Sequence, residues 1–205
     1  MDDTYKEERK EKIFKAAVKC FNEKGYYETT IDSIAAEAHI SKGGVYYYFG
    51  SKKELFLELF HYRVNRYFEQ IKSHIKKEHT PEDRLRMFIR KSSYILKANE
   101  DFFRFCLEFL SMGVRDSQIR DVMTIFYKDS INTFKQLIEE GVERGRFKDL
   151  GSDEVARTIY FLFMGVFFTY FSVNVDFDLI KQHAFHIDNI LKAMEQVQGK
   201  KEHRL

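Results

Sequence analysis

Residues 31–48 decide the fold, and they read IDSIAAEAHISKGGVYYY. Thr30 and Ser41 stand immediately before two short apolar-patterned segments, and both side chains can accept hydrogen bonds from the first amides of a helix. They therefore predict two short helices, ending near Ala38 and Phe49. Two short helices joined by a tight turn are typical of a helix-turn-helix, in which the second helix enters the major groove of DNA.

The turn between these helices begins at His39, where a helix-turn-helix usually has glycine because the backbone is left-handed. Histidine belongs with asparagine and aspartate among the residues enriched at positive φ, so this departure is tolerable. Ala35 provides the small side chain that two closely crossing helices need. We expect the wedge between the helices to be filled by spaced apolar residues: Ile34, Ala38, Ile40, Val45 and Tyr48.

The outer face of the second short helix carries candidate DNA contacts: Lys42, Gly43, Gly44, Tyr46 and Tyr47. The glycines cost a helix roughly 0.5–1 kcal/mol each relative to alanine. Either they let the backbone approach bases and phosphates, or the helix simply starts weakly. The tyrosines either donate hydrogen bonds to phosphates or pack structurally. Lys42, Lys52 and Lys53 form a short basic stripe, although such stripes are often only solvated faces.

The stretch from Ile13 to Phe56 closely resembles the DNA-binding domain of the TetR family of transcriptional regulators. The residues that carry the resemblance are Ala16-Ala17, Phe21, Gly25-Tyr26, Thr29-Thr30-Ile31, Ile34-Ala35, Ala38, Ile40-Ser41-Lys42-Gly43, Tyr46, Tyr48-Phe49, Lys52 and Leu55-Phe56. The resemblance implies an all-helical homodimer whose third helices enter successive major grooves of a palindromic operator, with ligand binding changing their separation. It also implies DNA contacts at Thr30, Lys42, Gly43, Tyr46, Tyr47 and Lys52.

The whole chain is predicted to form nine helices and no sheet, since it has one proline and no sustained two-residue alternation. We expect a helix-turn-helix domain over residues 1–53 and a ligand-binding and dimerisation domain over 54–205. The signals for helix ends include Gly25, a capping box over residues 51–54, Pro81 at a first helical position, a cap at Ser152 or Asp153, and a last helix over about 178–198. Leu55, Leu59, Val64, Phe68, Ile71 and Ile75 should share one side of the fourth helix.

Composition limits the other classes of protein. The net charge of +2 gives no support for nucleic-acid binding by itself. The charged start of the chain has no apolar signal region, which favours the cytoplasm and makes Cys20 and Cys106 reduced core thiols. The apolar run over residues 159–173 is shorter than the ~20 residues of a membrane span. We therefore expect a core or interface helix there, with no membrane partner.

The last two helices predict a homodimer and an apolar effector. Five residues at alternating spacings of four and three form a candidate dimer seam: Ile180, Ala184, Ile187, Leu191 and Met194. A well-packed monomer core is the alternative. The excess of aromatic residues predicts a ligand cavity, although any particular one is more often core than cavity wall. The candidate ligand-binding residues are Phe105, Phe109, Met112, Phe126, Phe134, Phe163 and Phe167. Arg104 and Glu108 either orient the polar end of a ligand or face solvent.

Signals for catalysis are weak. The one Glu-x-x-His unit, Glu58 to His61, lacks the second unit that a di-iron bundle needs, so a solvated face is favoured. His183 and His186 are expected to be exposed and to bind no metal. We expect no enzyme and no cofactor, but a repressor released from double-stranded DNA by a fatty acyl compound, or else by a lipophilic cationic drug. The alternatives are a ligand-sensing helical protein without a DNA function, and a helical enzyme.

Overall fold

The structure, a computed structural model, describes residues 3–75 and 79–196. Within these ranges the chain forms nine α-helices and no β-strand, which confirms the all-helical fold. The helices are α1 (Asp3–Glu28), α2 (Ile31–Glu37), α3 (Lys42–Tyr48), α4 (Lys52–Lys72), α5 (Pro81–Ala98), α6 (Glu100–Gly113), α7 (Ser117–Glu143), α8 (Ser152–Ser172) and α9 (Leu179–Met194).

Local signals in the sequence set the starts of several helices. The Thr30 hydroxyl accepts a hydrogen bond from the Ser33 amide at 3.1 Å, and the Ser33 hydroxyl accepts one from the Thr30 amide. Ser41 caps α3 in the same way, and Pro81 is the first residue of α5. Gly25 interrupts α1 with φ 74° and ψ 170°, a conformation that glycine adopts without the strain of a side chain. These predicted signals are confirmed.

The start of α8 differs from the prediction. Ser152 and Asp153 lie inside the helix, and its N-cap is Gly151, which has φ 82° and no side-chain cap. The Asp153 carboxylate instead accepts from the Lys135 ammonium of α7 at 2.9 Å. A tertiary ion pair therefore occupies the side chain that was expected to cap the helix.

Two helices are shorter than predicted. α4 ends at Lys72, so Ile75 follows the helix rather than extending its apolar side. α9 ends at Met194, whose carbonyl accepts a hydrogen bond from the Lys148 amide at 2.8 Å. The predicted end of α9 at Gln198 lies outside the described residues.

The chain folds as two compact units. The first comprises Met1–Glu69 and Ala98–Ile125, and the second comprises Gln70–Lys97 and Phe126–Leu205. The predicted functional boundary after residue 53 falls inside the first unit and stays a prediction.

The core of the first unit is an aromatic cluster that joins α1, α4 and α6. The ring centroids of Phe56 and Phe21 are 4.9 Å apart, and those of Phe56 and Phe105 are 5.1 Å apart. Phe60 stacks on Phe109 at 4.0 Å. Aromatic pairs at these separations stabilise a core beyond their apolar area. The cluster fixes the helices that carry the helix-turn-helix.

The core of the second unit contains a buried histidine. His183 of α9 is 2 % exposed, and its ring lies 4.6 Å from that of Phe163 on α8. Its Nε2 atom is 3.1 Å from the Phe163 carbonyl oxygen, and its Nδ1 atom is 2.9 Å from the Ser93 hydroxyl of α5. Burial lowers the pKa of His183 to about 4. The expectation that His183 is exposed is therefore wrong, because α5, α8 and α9 enclose it.

Candidate functional site

The two short helices have the geometry expected of a helix-turn-helix. Ile34, Ala38 and Val45 are buried between them, and Ile40 and Tyr48 are half-buried. His39 has φ 53°, so it adopts the left-handed backbone that the turn requires. The wedge and the turn predicted from the sequence are both confirmed.

The outer face of α3 is open to solvent. Tyr47 is 66 % exposed and Tyr46 is also exposed, whereas Val45 and Phe49 are fully buried. Gly43 is exposed and Gly44 half-buried at the start of the helix. Two exposed tyrosines and the glycine pair that follows Lys42 are therefore presented together on one surface.

The Lys42 ammonium has an acidic partner on α2. It lies 2.8 Å from the Asp32 carboxylate, and this hydrogen bond raises the pKa of Lys42. Both side chains are more than half exposed. An exposed ion pair of this kind is weak, so a phosphate can compete with Asp32 for Lys42. Thr30, also predicted to contact DNA, is exposed at the start of α2 while its hydroxyl caps that helix.

A groove of about 430 Å³ lies beside α3, and sequence analysis did not include two of the residues that line it. Tyr5 and Arg9 of α1 form one wall, and residues of the turn and of α3, including Tyr47, form the other. The Arg9 guanidinium donates to the Tyr5 hydroxyl at 2.7 and 3.0 Å. An arginine four residues after a tyrosine at the start of α1 was the available signal, but it lies outside the helix-turn-helix motif.

Lys52 differs from the other predicted contacts because its ammonium points into the protein. It donates to the carbonyl oxygens of Tyr26 and Thr29, each at 2.7 Å, and of Tyr27 at 3.2 Å. It also lies 4.4 Å from the centroid of the Tyr26 ring. Burial lowers the pKa of Lys52. An ammonium has three N–H donors, so all three are directed at backbone carbonyls here.

Glu108 and Arg104 of α6 have protein partners in the first unit. The Glu108 carboxylate accepts from the Tyr26 amide at 2.8 Å. The Arg104 guanidinium donates to the exposed Glu100 carboxylate at 2.7 Å. Neither the ligand role nor the purely solvated role describes Glu108, whereas Arg104 lies at the surface.

The candidate ligand residues pack in separate aromatic clusters. Phe105 and Phe109 belong to the core of the first unit, and Met112 is buried on the same helix. In the second unit, Phe134 packs against Phe88 of α5. Phe163 and Phe167 pack against His183. Phe126 is half-buried on α7. A cavity next to Phe163 has a volume of about 10 Å³, enough for one water molecule at most.

Three of the five candidate seam residues on α9 face the interior of their own chain. Ile187, Leu191 and Met194 are buried, while Ile180 and Ala184 are half-buried. The seam spacing is therefore used, at least in part, for packing within the chain.

Exposed apolar residues lie instead on the outer side of α8 and α9. Phe161 and Phe168 are each 56 % exposed on α8, and Phe185 is 62 % exposed on α9. Gly165 lies between the two α8 phenylalanines, and a Cβ atom added there would meet nothing within 4 Å. Residues 161, 165 and 168 share one helix face by their spacing. We call Phe161, Gly165, Phe168 and Phe185 the outer apolar face.

α8 is long and apolar enough, by length and composition alone, to cross a membrane, and only 22 % of its most apolar 18-residue window is buried. The apolar run over residues 159–173 is itself shorter than a membrane span, but α8 extends from Ser152 to Ser172 and has 21 residues. Much of α8 is therefore exposed in the single chain although the helix is apolar.

Among residues 3–75 and 79–196, no group of three or more histidine, cysteine or acidic side chains is placed to hold a metal ion. Cys20 is buried and Cys106 half-buried, and neither is part of a disulfide. Burial raises the pKa of the Cys106 thiol to about 12.

Comparison with known proteins identifies the family. Residues 13–59 match the bacterial regulatory proteins of the TetR family, and residues 81–183 match the C-terminal domain of BetI-type transcriptional repressors. The chain belongs to the TetR family of transcriptional regulators. It is therefore a DNA-binding transcriptional regulator with a helix-turn-helix, and its family consists of regulators rather than enzymes.

Other regulators are similar to this chain over most of its length. The fatty acid metabolism regulator protein of Bacillus subtilis (strain 168) is 24 % identical over 149 residues, which cover 73 % of this chain and 76 % of that protein. A putative transcriptional regulator from Saccharomonospora viridis, in complex with choline, has a TM-score of 0.82 at 20 % identity, covering 93 % and 100 % of the two chains. FadR from Bacillus subtilis, in complex with stearoyl-CoA, has a TM-score of 0.78 at 22 % identity, covering 90 % and 98 %.

Proposed function

We propose that this TetR-family regulator is a dimeric repressor that binds a palindromic operator in the cytoplasm and is released by an amphipathic acyl compound. The observation that carries the DNA half of the proposal is the open face of α3, where two exposed tyrosines follow the glycine pair near the helix start. Hydrogen bonds to phosphates fix the register of such a helix, and contacts to base edges supply specificity.

The operator contacts that we propose lie on α2, on α3 and at the start of α1. Thr30, Lys42, Tyr46 and Tyr47 are the side chains, and Gly43 and Gly44 allow the backbone to come close. Arg9 extends this surface, because it lines the groove beside α3 and carries a charge that phosphates attract. These residues present two positive side chains, Lys42 and Arg9, so electrostatic attraction contributes to affinity.

The homodimer that we propose forms through the outer apolar face. Its phenylalanines are exposed in the single chain, and the open space at Gly165 lets a second helix approach closely. Exposed apolar patches of this kind mark interaction sites in soluble proteins. A second copy covers α8 and gives the two-fold symmetry that a palindromic operator requires.

The effector that we propose is a fatty acyl compound. Support comes from the fatty acid metabolism regulator and from the stearoyl-CoA complex among similar proteins. Shifting a two-state balance from 1:99 to 99:1 needs roughly 10⁴-fold preference, or about 5.5 kcal/mol. At ~25 cal/mol per Å², some 200 Å² of differential apolar contact supplies that amount, within the reach of an acyl chain.

A cationic effector is the second candidate, because the similar regulator from Saccharomonospora viridis is in complex with choline and the family match over residues 81–183 is of BetI type. Aromatic rings attract quaternary ammonium groups through their π faces. Acyl compounds and cations differ in charge and in apolar area, so one binding screen separates them.

The test is fluorescence anisotropy with an operator that the wild-type protein selects from random DNA duplexes. We expect a palindromic operator, and we expect stearoyl-CoA or free fatty acids to weaken binding while choline and lipophilic cations have no effect. Selection of no sequence would favour a ligand-sensing protein without a DNA function. Release by the cations alone would replace the acyl effector with the second candidate.

A further inference from the structure

Residues 26–29 connect the break of α1 at Gly25 with the Thr30 cap of α2, and we call them the corner segment. The backbone leaves the helical conformation at Gly25, so the chain passes from α1 to α2 through this segment. Thr29 is fully buried, and its hydroxyl donates to the Gly25 carbonyl at 2.7 Å. The corner segment therefore fixes where α2 begins, alongside the direct packing of α2 on α1.

Lys52 of α4 binds the backbone carbonyl groups of the corner segment. The Lys52 ammonium reaches three of them, those of Tyr26, Tyr27 and Thr29, at 2.7 to 3.2 Å. Hydrogen bonds in which the donor is charged are about twice as strong as neutral ones. Moving Lys52 to a DNA phosphate would leave these carbonyls without their charged donor. A phosphate contact by Lys52 therefore competes with the local fold, unlike one by Lys42.

Glu108 of α6 binds a backbone amide of the same segment. The Glu108 carboxylate accepts a hydrogen bond from the Tyr26 N–H at 2.8 Å, whereas Lys52 donates to carbonyl oxygens of the same segment. The Tyr26 ring is also fixed between its neighbours, 4.8 Å from Phe56 and 5.9 Å from Phe21. Two charged side chains from two helices thus hold one short segment by its carbonyls and its amide.

We propose that Lys52 and Glu108 are positioning residues for operator binding, which hold the corner segment in the conformation that presents α2 and α3 to DNA, and that Lys52 does not bind a phosphate. This inference rests on the proposed DNA-binding function. If the wild-type protein selects no operator, that function fails; if the wild type binds and only the variants below deviate from expectation, the positioning roles fail.

The experiment measures operator affinity over a series of salt concentrations for Lys52→Met and Lys52→Arg. Losing charged hydrogen bonds should weaken affinity of Lys52→Met by at least about tenfold. The slope of log K against log salt should stay at the wild-type value. Lys52→Arg should remain impaired, because a planar guanidinium does not replace a three-donor ammonium, although it binds phosphates well. Lys128→Met, which removes an exposed positive charge from α7, is the charge control and should bind as the wild type does.

Glu108 gives an independent arm with an opposite electrostatic expectation. Glu108→Leu removes a negative charge, which by charge alone strengthens DNA binding, yet the positioning role requires weaker binding. Glu108→Gln keeps an acceptor oxygen for the Tyr26 amide and should retain most of the affinity. Hydrogen exchange of the Tyr26 amide should accelerate in Glu108→Leu and stay slow in Glu108→Gln. Circular dichroism checks that each variant is folded.

Three results would overturn the proposal. A slope reduced by about 0.9 in Lys52→Met would assign a phosphate contact to Lys52. Restored affinity in Lys52→Arg would do the same. Unchanged affinity in Glu108→Leu would show that the hold on the corner segment does not matter for DNA. Should Lys52→Met fail to fold, the arginine variant and the Glu108 pair still decide.

Discussion

Lowering the pH from 7 to 5 should destabilise the protein through His183. Burial between α8 and α9 lowers the pKa of this imidazole from 6.5 to about 4 in the folded chain, and the unfolded chain titrates near the ordinary value. The unfolded state therefore binds the proton at higher pH than the folded state does. The contribution of neutral His183 to the free energy of unfolding is complete above pH 6.5 and is lost as the pH falls towards 4.

The magnitude follows from the difference between the two pKa values. The shift from 6.5 to about 4 corresponds to about 3 kcal/mol once both states are titrated, and to about 2 kcal/mol at pH 5. That is a large fraction of the roughly 5–15 kcal/mol that stabilise a typical folded domain. Other groups titrate in the same range, so the wild-type loss alone does not identify its source.

The assay is urea unfolding followed by circular dichroism at both pH values and at a fixed protein concentration, since dimer formation makes stability depend on concentration. His183→Gln can still hydrogen-bond Ser93 and the Phe163 carbonyl but does not titrate, and it leaves His186 in place. Whatever the stability of this variant at neutral pH, its free energy of unfolding should fall by about 2 kcal/mol less than that of the wild type between pH 7 and pH 5. Equal losses in the two proteins would refute the assignment to His183.

Other perturbations test the proposed DNA surface and the dimer. Asp32→Asn should free Lys42 and tighten operator binding severalfold in an anisotropy titration; weaker binding would mean that Asp32 itself supports the complex. Arg9→Ala should lower the slope of log K against log salt by about 0.9, and an unchanged slope would remove Arg9 from the phosphate contacts. Phe168→Arg should give a monomer in light scattering, whereas Val114→Arg, a change at an exposed apolar residue that directly follows α6 and lies outside the outer apolar face, should leave a dimer; a dimeric Phe168→Arg protein would place the interface elsewhere.

The sequence predicted those features that depend on neighbouring residues. Thr30 and Ser41 cap the helices that follow them because their hydroxyls need only reach an amide three residues on. His39 adopts the left-handed backbone that is usual at this position of a helix-turn-helix, and histidine tolerates it. The burial of Val45 and the exposure of Tyr47 follow from helical periodicity. Each of these signals lies within a few residues of its effect.

The features that were missed depend on residues far apart in the chain. Glu108 bonds an amide 82 residues earlier, and His183 bonds a hydroxyl 90 residues earlier, so no local pattern announces either contact. The cap expected at Asp153 failed because Lys135 takes its carboxylate. In each case the residue type was noticed correctly, but the partner that decides its role comes from another helix.

The apolar residues of α8 and α9 show a different limit. A heptad-like spacing identifies a helix face that packs against something, yet it does not distinguish the chain's own core from a second copy. Leu191 and Met194 use their spacing to bury themselves within the chain. Phe161 and Phe168, which we propose face a second copy, belong to the helix that contains the apolar run over residues 159–173. Burial in the folded chain, rather than spacing, separates the two sets.

Lys42 and Lys52 bring these limits together. Both lie in the same basic stripe, and both stand at positions where the family resemblance implies a DNA contact. The sequence alone therefore gives both lysines the same role, which is binding to DNA. The structure gives Lys42 one exposed partner, the Asp32 carboxylate at 2.8 Å, which a phosphate can displace. It gives Lys52 three backbone carbonyls and an aromatic ring, which a phosphate could replace only by opening the corner segment. Under our proposal, positive charge in this DNA-binding motif divides into charge that binds the DNA, as at Lys42, and charge that shapes the DNA-binding surface, as at Lys52, and the salt dependence of binding measures only the first.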